Sequence, residues 1–239
     1  MKRFRNTIIL SVLLALTLCV GAQAAENTML KVGLKYGTNA LFTARLQNYN
    51  DTLSGSGYEF GYYDADRSFV PLAATDEQRI TVTVDSNAYV SGGVCYETRP
   101  TNYSTILGAY HIELLTAFGS YEEALSVAQS YPKGFVAYID GAYRVRVGNH
   151  ASYDESARVL SETDVLAYGA QVVTPSSTGV VVSVTDTDTV LFEFDCSGLR
   201  SLGVRPRSVS GEKTVTWFSG YRYYGGFFNL RTPGGPVPF

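Results

Sequence analysis

The sequence has few of the side chains that metal and nucleophile chemistry require. It contains three cysteines and two histidines, His111 and His150. No CxxC pair is present and the histidines have no ligand-like spacing to other candidate ligands, so a zinc site is not expected. The motifs GxSxG, HExxH and the P-loop are absent too. We therefore expect no cofactor and no catalysis; a glycosidase-like pair of carboxylates is the alternative that stays open, because sequence does not reveal spatial separation.

The N-terminal apolar run is well short of the roughly 20 residues that a membrane-spanning helix needs. This run, Ile8 to Val20, follows basic residues at positions 2, 3 and 5 and precedes Ala22-Gln23-Ala24. A basic start, a short apolar stretch and a small-x-small site are the parts of a secretory signal peptide. We therefore predict that residues 1–25 are removed, that the protein is secreted, and that no membrane anchor remains.

The mature chain is acidic, which argues against a nucleic-acid partner. Removing the three basic residues of the signal changes the formal net charge from -3 to -6. Between residues 109 and 164, eight acidic side chains stand against four basic ones, and this excess would repel a phosphate backbone. The two other cysteines, Cys95 and Cys196, either pair in an oxidising compartment or stay free, and the sequence does not decide between these states.

One short sequence motif occurs twice near the middle of the chain. Ser120-Tyr121-Glu122-Glu123-Ala124 returns as Ser152-Tyr153-Asp154-Glu155-Ser156-Ala157. In each copy a serine is followed three residues later by a glutamate, the pattern of a capping box at a helix start. The copies predict two helices, each entered from an apolar strand, in the order strand, helix, strand, strand, helix and a last strand near 171–173. We therefore predict an α+β fold, a small βαββαβ sheet with helices on one face.

The Asp140-Gly141 pair predicts a two-residue hairpin turn between the second and third of these strands. Such a turn opposes Ile139 to Ala142, and directly opposed residues share a face. One face should then lie under the helices, while the other stays open to solvent. The open face carries an aromatic ring, hydrogen-bonding groups and two arginines, which suits a polar ring-shaped ligand such as a sugar or, alternatively, a merely solvated surface. Its candidate contact residues are Phe135, Arg144, Arg146, His111 and Glu113.

The flanking segments are rich in strand patterns and almost free of helical periodicity. Before residue 100, alternation predicts strands at 30–34, 58–64 and 79–85. After residue 175, strands are predicted at 180–184, 189–194, 202–206, 214–218 and 221–230. The last of these contain an aromatic run from Trp217 to Phe228, which serves either as a stacking platform or, more commonly, as cross-strand packing.

The hexapeptide Tyr143-Arg144-Val145-Arg146-Val147-Gly148, with a predicted helix on each side, resembles the SPOR domain over residues 108–175. The resemblance implies a ferredoxin-like or RNP-like fold that binds peptidoglycan, typically glycan strands stripped of stem peptides, on its open sheet face. Arg144, Arg146 and Glu113 are the contacts it implies; Phe135 and His111 rest on the face argument alone. The first strand departs from the family by carrying Glu113 where glutamine is usual, and Gly148-Asn149-His150 replaces Gly-Pro-Phe.

The two flanking segments together resemble the N-terminal part of the SpoIID/LytB family of cell-wall proteins. The residues that carry this resemblance are Val32-Gly33-Leu34 and Tyr221-Arg222-Tyr223-Tyr224-Gly225-Gly226-Phe227. That family includes peptidoglycan-cleaving lytic transglycosylases and amidase enhancers, whose catalytic glutamate lies in a later segment that has no counterpart here. The predicted organisation is a signal at 1–25, a β-rich segment at 26–100, the SPOR-like module at 108–175 and a β-rich segment at 176–239.

The leading hypothesis is an exported, non-catalytic protein that binds peptidoglycan glycan strands at the cell wall or at a division or sporulation septum. A cell-wall amidase or a division or sporulation protein is the partner class that it suggests. The first alternative is the front part of a SpoIID-type lytic transglycosylase or amidase enhancer. The second alternative is a protein-interaction module that docks a partner through the aromatic C-terminal strands, which would require a large exposed apolar patch there.

Overall fold

The computed structural model describes residues 32–35, 37–48, 55–162, 168–207 and 214–228. The chain divides into two compact units, Met1–Val32 and Gly33–Phe239, and Val32 is the one described residue of the first. The predicted signal peptide and the first residues of the predicted strand at 30–34 lie outside the described residues. Residues 32–35 form no strand, so that prediction is wrong for the part that is described.

The described residues of the second unit are mostly β-strand. They contain two α-helices, α1 (Tyr121–Ala128) and α2 (Tyr153–Glu162), and one 3-10 turn at Gly37–Asn39. The strands in chain order are β1 (Thr43–Gln47), β2 (Tyr58–Tyr63), β3 (Phe69–Thr75), β4 (Arg79–Val84), β5 (Ala88–Ser91), β6 (Val94–Tyr96), β7 (Thr105–Leu107), β8 (Tyr110–Leu114), β9 (Gly134–Ile139), β10 (Ala142–His150), β11 (Ala170–Val173), β12 (Val180–Val184), β13 (Val190–Asp195), β14 (Gly203–Pro206), β15 (Val215–Phe218), β16 (Tyr221–Tyr224) and β17 (Phe227–Phe228).

Ten of these strands form one mixed sheet, in the order β11-β8-β10-β9-β13-β12-β4-β1-β15-β16. Its strands pair antiparallel except for β9 and β13, which run parallel with Val136 opposite Phe192. The predicted ferredoxin-like α+β fold is therefore wrong. The four strands predicted for a separate module, β8 to β11, do form. The outer edge of β9 pairs with β13, however, so these four strands are one part of the ten-stranded sheet. Both flanking segments contribute strands to the same sheet.

The predictions for the β9–β10 hairpin and for the two helix starts in the repeated motif are confirmed. The β9–β10 hairpin opposes Ile139 to Ala142, and its two turn residues, Asp140 and Gly141, have φ of 47° and 91°. Positive φ at both positions is what a type I′ turn needs, which explains the Asp-Gly pair. Ser120 accepts a hydrogen bond from the N–H of Glu123, as the capping box predicts, but Glu123 accepts from the N–H of Gly119 and not from that of Ser120. The second copy repeats this arrangement.

The hydrophobic core lies on one face of the ten-stranded sheet, which is covered in one part by helix α1 and in another by a second sheet. Over one part of the sheet, the ring of Tyr121 on α1 contacts the rings of Tyr143 and Phe192. A second sheet, in the order β17-β14-β2-β3, covers the neighbouring part, where Phe60 of β2 stacks on Phe192 with 5.6 Å between ring centroids. Burying these aromatic and branched side chains supplies the main driving force for folding.

The opposite face of the large sheet is covered in part by a small sheet in the order β6-β5-β7. Its Ala88 and Leu107 form an apolar cluster with Val181 of β12. The turn between β5 and β6 extends along this face, since the backbone carbonyl of Gly93 accepts a hydrogen bond from the guanidinium of Arg45 on β1. The small sheet thus explains why much of this face is not open to solvent.

Candidate functional site

Four of the five residues predicted to form an open ligand-binding face are buried. The exposed fractions are 1% for His111, 3% for Phe135, 7% for Arg146 and 8% for Glu113. They do share one sheet face, because Arg146 lies opposite both Phe135 and Glu113 in the strand register. The prediction that this face is open is therefore wrong for these four residues, and a polymeric glycan has no access to them.

These side chains form a buried ionic network instead of a binding surface. The guanidinium of Arg146 donates from Nε to Glu113 Oε2 over 2.9 Å and from Nη1 to Glu193 Oε1. Glu193 is fully buried on β13. Burial lowers the pKa of Arg146, but attraction by the two carboxylates outweighs this effect and raises it. Arg146 therefore stays charged.

His111 lies beside Glu193, at one end of the buried ionic network. Its Nδ1 lies 2.7 Å from the carbonyl oxygen of Gly148, so Nδ1 carries the hydrogen and donates it. Nε2 then faces Glu193 Oε2 at 3.9 Å, and neither atom has a hydrogen-bond partner among the described residues. Burial lowers the pKa of His111, against an upward contribution from Glu193 and downward contributions from Arg146 and His150.

The lowered pKa of His111 predicts that acid destabilises the fold. A histidine that is harder to protonate when folded contributes stability above its ordinary pKa of about 6.5, and that stability is lost as the pH falls through the folded value. We expect the free energy of unfolding, measured in urea, to decrease from pH 7 to pH 5, and the His111→Gln variant to show a shallower decrease. Because burial lowers the pKa of His150 as well, the variant His150→Gln should also show a shallower decrease. Equal pH slopes in wild type and His111→Gln would contradict this account.

Arg144 is the one predicted contact residue that is only half-buried. Its Nη1 donates to the carbonyl of Leu115 over 3.0 Å, and Leu115 is itself 53% exposed. A glycan contact by Arg144 stays a prediction. Arg146 and Phe135 are buried, so they do not accompany Arg144 at the surface as the predicted sugar platform requires.

A surface better suited to a ring-shaped polar ligand lies elsewhere on the same sheet, where one residue from each of four strands forms a line. Trp217 on β15 lies opposite Arg222 on β16 and Gln47 on β1, and Gln47 lies opposite Arg79 on β4. Directly opposed residues share a face. We call Arg222, Trp217, Gln47 and Arg79 the cross-strand row. With about 4.8 Å between neighbouring strands, its three steps span about 14 Å.

The cross-strand row combines an aromatic ring with hydrogen-bond donors. The guanidinium carbon of Arg222 lies 4.4 Å from the centroid of the Trp217 ring, a cation–π contact that holds both groups at the surface. Arg222 is exposed, whereas Trp217 and Gln47 are half-buried. Tyr224, two residues from Arg222 on the same face, is 68% exposed and enlarges the aromatic surface.

The far end of the row is fixed by an ion-pair cluster. Asp186 accepts two hydrogen bonds of 2.6 Å from Nη2 of Arg45, and one of its oxygens lies 3.6 Å from Nη2 of Arg79. The Arg79 side chain is 54% exposed, so its guanidinium still faces solvent. Row residues thus present an apolar ring at one position and an amide and two guanidinium groups around it, an arrangement that suits a ring-shaped ligand with hydroxyl and carboxylate groups.

The sequence indicated only half of this surface. The aromatic run from Trp217 onward predicted a possible stacking platform, but Gln47 and Arg79 belong to distant segments and no local pattern links them to it. The hairpin itself is closed and packed, because Phe218, Tyr223 and Phe227 form a ring cluster on its other face. The exposed Tyr221 and Tyr224 lie on opposite faces, which counts against the large apolar docking patch that an interaction module requires.

The described part of the chain holds no group of three or more histidine, cysteine or acidic side chains suited to a metal ion. Cys95 and Cys196 are both free thiols. Neither α1 nor α2 has the length and apolar character of a membrane-crossing helix, and no other described helix has them. Comparison of the chain with protein-family models, with curated proteins and with solved structures found no match.

Proposed function

We propose that the protein is a secreted, non-catalytic protein that binds the glycan strands of peptidoglycan, and that it does so through the cross-strand row. The observation that carries this proposal is the register that places Arg222, Trp217, Gln47 and Arg79 side by side on one sheet face. The accessible part of the half-buried Trp217 ring can stack on the apolar face of a sugar, while amide and guanidinium groups at its rim bind hydroxyls and carboxylates.

The charge of the row favours an acidic glycan over a neutral one. Arginine presents five N–H donors in a planar fork that matches a carboxylate. The glycan strands of peptidoglycan carry a lactyl carboxyl group on alternate sugars, free or joined to a stem peptide. Two guanidinium groups at the ends of a row that spans about 14 Å suit a polymer that lies across the strands and repeats its anionic group.

Co-sedimentation with purified sacculi tests the proposed function. The full chain is incubated with sacculi that have or have not been treated with an amidase, and the retained fraction is measured at several protein concentrations. We expect saturable retention on the untreated sacculi, and retention on the treated ones as well because the glycan is common to both. Absence of retention on both preparations would contradict the proposal.

A further inference from the structure

A cleft adjoins the end of the cross-strand row. It has a volume of about 550 Å³ and lies between the β3–β4 turn and the β12–β13 hairpin, with lining residues Asp76, Glu77, Gln78, Arg79, Val184 and Thr185. Pockets that take small ligands have volumes of about 300 to 1,000 Å³, so this cleft is large enough for a few peptide residues.

The cleft and the row are continuous because they share Arg79. The backbone N–H of Thr185 donates to the carbonyl of Arg79 over 3.1 Å, which attaches the β12–β13 hairpin directly to the end of the row. A polymer that lies along the row from Arg222 to Arg79 therefore ends at a residue that also lines the cleft.

Most of the charged or amide groups that line the cleft already have partners. Asp76 pairs with Arg207 at 2.5 Å, Arg79 pairs with Asp186 at 3.6 Å, and the amide of Gln78 donates to the carbonyl of Gly55 over 2.7 Å. The exposed carboxylate of Glu77 has no ion pair with any described residue, while its backbone N–H donates to Thr75 Oγ1. Glu77 is thus the group to which a cationic ligand can bind without displacing an existing pair.

We propose that the cleft binds a short peptide attached to the glycan and that Glu77 receives a free amine of that peptide. The inference rests on the proposed function, since the row must first hold the sugar. It specifies the substrate class as a peptide-bearing glycan, one whose sugar lies on the row and whose peptide amino group lies in the cleft.

Three probes test this inference on the full chain: a peptidoglycan disaccharide carrying a stem peptide with a free side-chain amine, the same compound with that amine acetylated, and the peptide-free disaccharide with its lactyl carboxyl group converted to a simple amide, so that all three have the same lactyl amide. We expect the first to bind about fivefold more tightly than the other two, as a partly exposed ion pair allows. In Glu77→Gln the three affinities should become equal. The variant Glu97→Gln, which changes an exposed glutamate outside the cleft, is the matched control.

The outcomes separate this inference from the proposed function. Equal binding of the three probes by the wild-type protein would overturn the inference and leave glycan binding in place. A fivefold preference that persists in Glu77→Gln would likewise overturn the role of Glu77. Failure of all three probes to bind would overturn the proposed function and, with it, the inference.

Discussion

Replacement of Arg146 by alanine should lower the free energy of unfolding by about 3 to 5 kcal/mol, the usual cost of leaving buried charges without their partner. The substitution would leave Glu113 and Glu193 as two neighbouring carboxylates, whose side chains alone are 10% and 0% exposed, with no guanidinium between them. Urea unfolding monitored by circular dichroism at pH 7 measures this loss. Since whole domains are stable by only about 5 to 15 kcal/mol, the variant should unfold at a much lower urea concentration.

Arg144→Ala is the matched control for this experiment. Arg144 occupies the same strand and the same face two residues earlier, but it is half-buried and makes one hydrogen bond, so its replacement should cost less than about 1 kcal/mol. A triple replacement, Arg146→Met with Glu113→Leu and Glu193→Leu, removes every charge of the pair network and should be far less destabilising than Arg146→Ala alone. Equal stability of Arg146→Ala and Arg144→Ala would contradict the network.

The burial of Arg146 changes how the predicted glycan contacts are tested. If both arginines lay on an open face, the double variant Arg144→Ala with Arg146→Ala would weaken peptidoglycan retention while the fold stayed intact. With Arg146 in the buried network, a loss of retention in that double variant would report unfolding. The single variant Arg144→Ala is the informative one: if the cross-strand row alone holds the glycan, this variant retains wild-type binding, whereas weakened retention would support the predicted contact by Arg144.

Replacement of Trp217 by alanine should weaken binding to sacculi by at least about 30-fold. Truncating an aromatic anchor at the centre of a binding surface typically costs about 2 kcal/mol or more. Arg222→Ala should weaken binding about tenfold, because it removes charge-assisted hydrogen bonds and leaves the ring in place. Both losses are measured as changes in dissociation constant by co-sedimentation.

Tyr221→Ala is the matched control on the other face of the same hairpin. Tyr221 is 69% exposed and lies opposite Phe218, so its loss changes an aromatic residue of β16 without touching the row. We expect its affinity to equal that of the wild type. Trp217 is half-buried, so circular dichroism must show that Trp217→Ala folds; Arg222→Ala tests the row independently. Equal losses in Arg222→Ala and Tyr221→Ala would contradict a site on this face.

Local features of the fold were predictable from sequence because short-range physics determines them. Capping serines marked both helix starts, Asp140-Gly141 set the hairpin register, alternation located β4, and a run of valines located β12. The fold class was not predictable in this way. Strand β9 satisfies its remaining edge with β13, more than 50 residues later in the chain, and no pattern within either segment specifies that parallel pairing.

The candidate site shows the same division between local and distant determinants. Alternation correctly put Arg146, Glu113 and Phe135 on one face, but it does not tell whether another layer covers that face or whether Glu193 supplies a second carboxylate. The row depends on pairing between segments near residues 47, 79 and 217, which are separated by most of the described chain. Only the aromatic residues of that row had a sequence signal.

A fluorescence titration tests the central claim most directly, because Trp217 is the only tryptophan in the sequence. Intrinsic tryptophan emission therefore reports on the row alone. On titrating peptidoglycan glycan fragments into the full chain, we predict a saturable change in the intensity or wavelength of this emission, with the dissociation constant that co-sedimentation gives. Saturable binding to sacculi without any change in Trp217 emission would contradict the account and place the binding surface elsewhere.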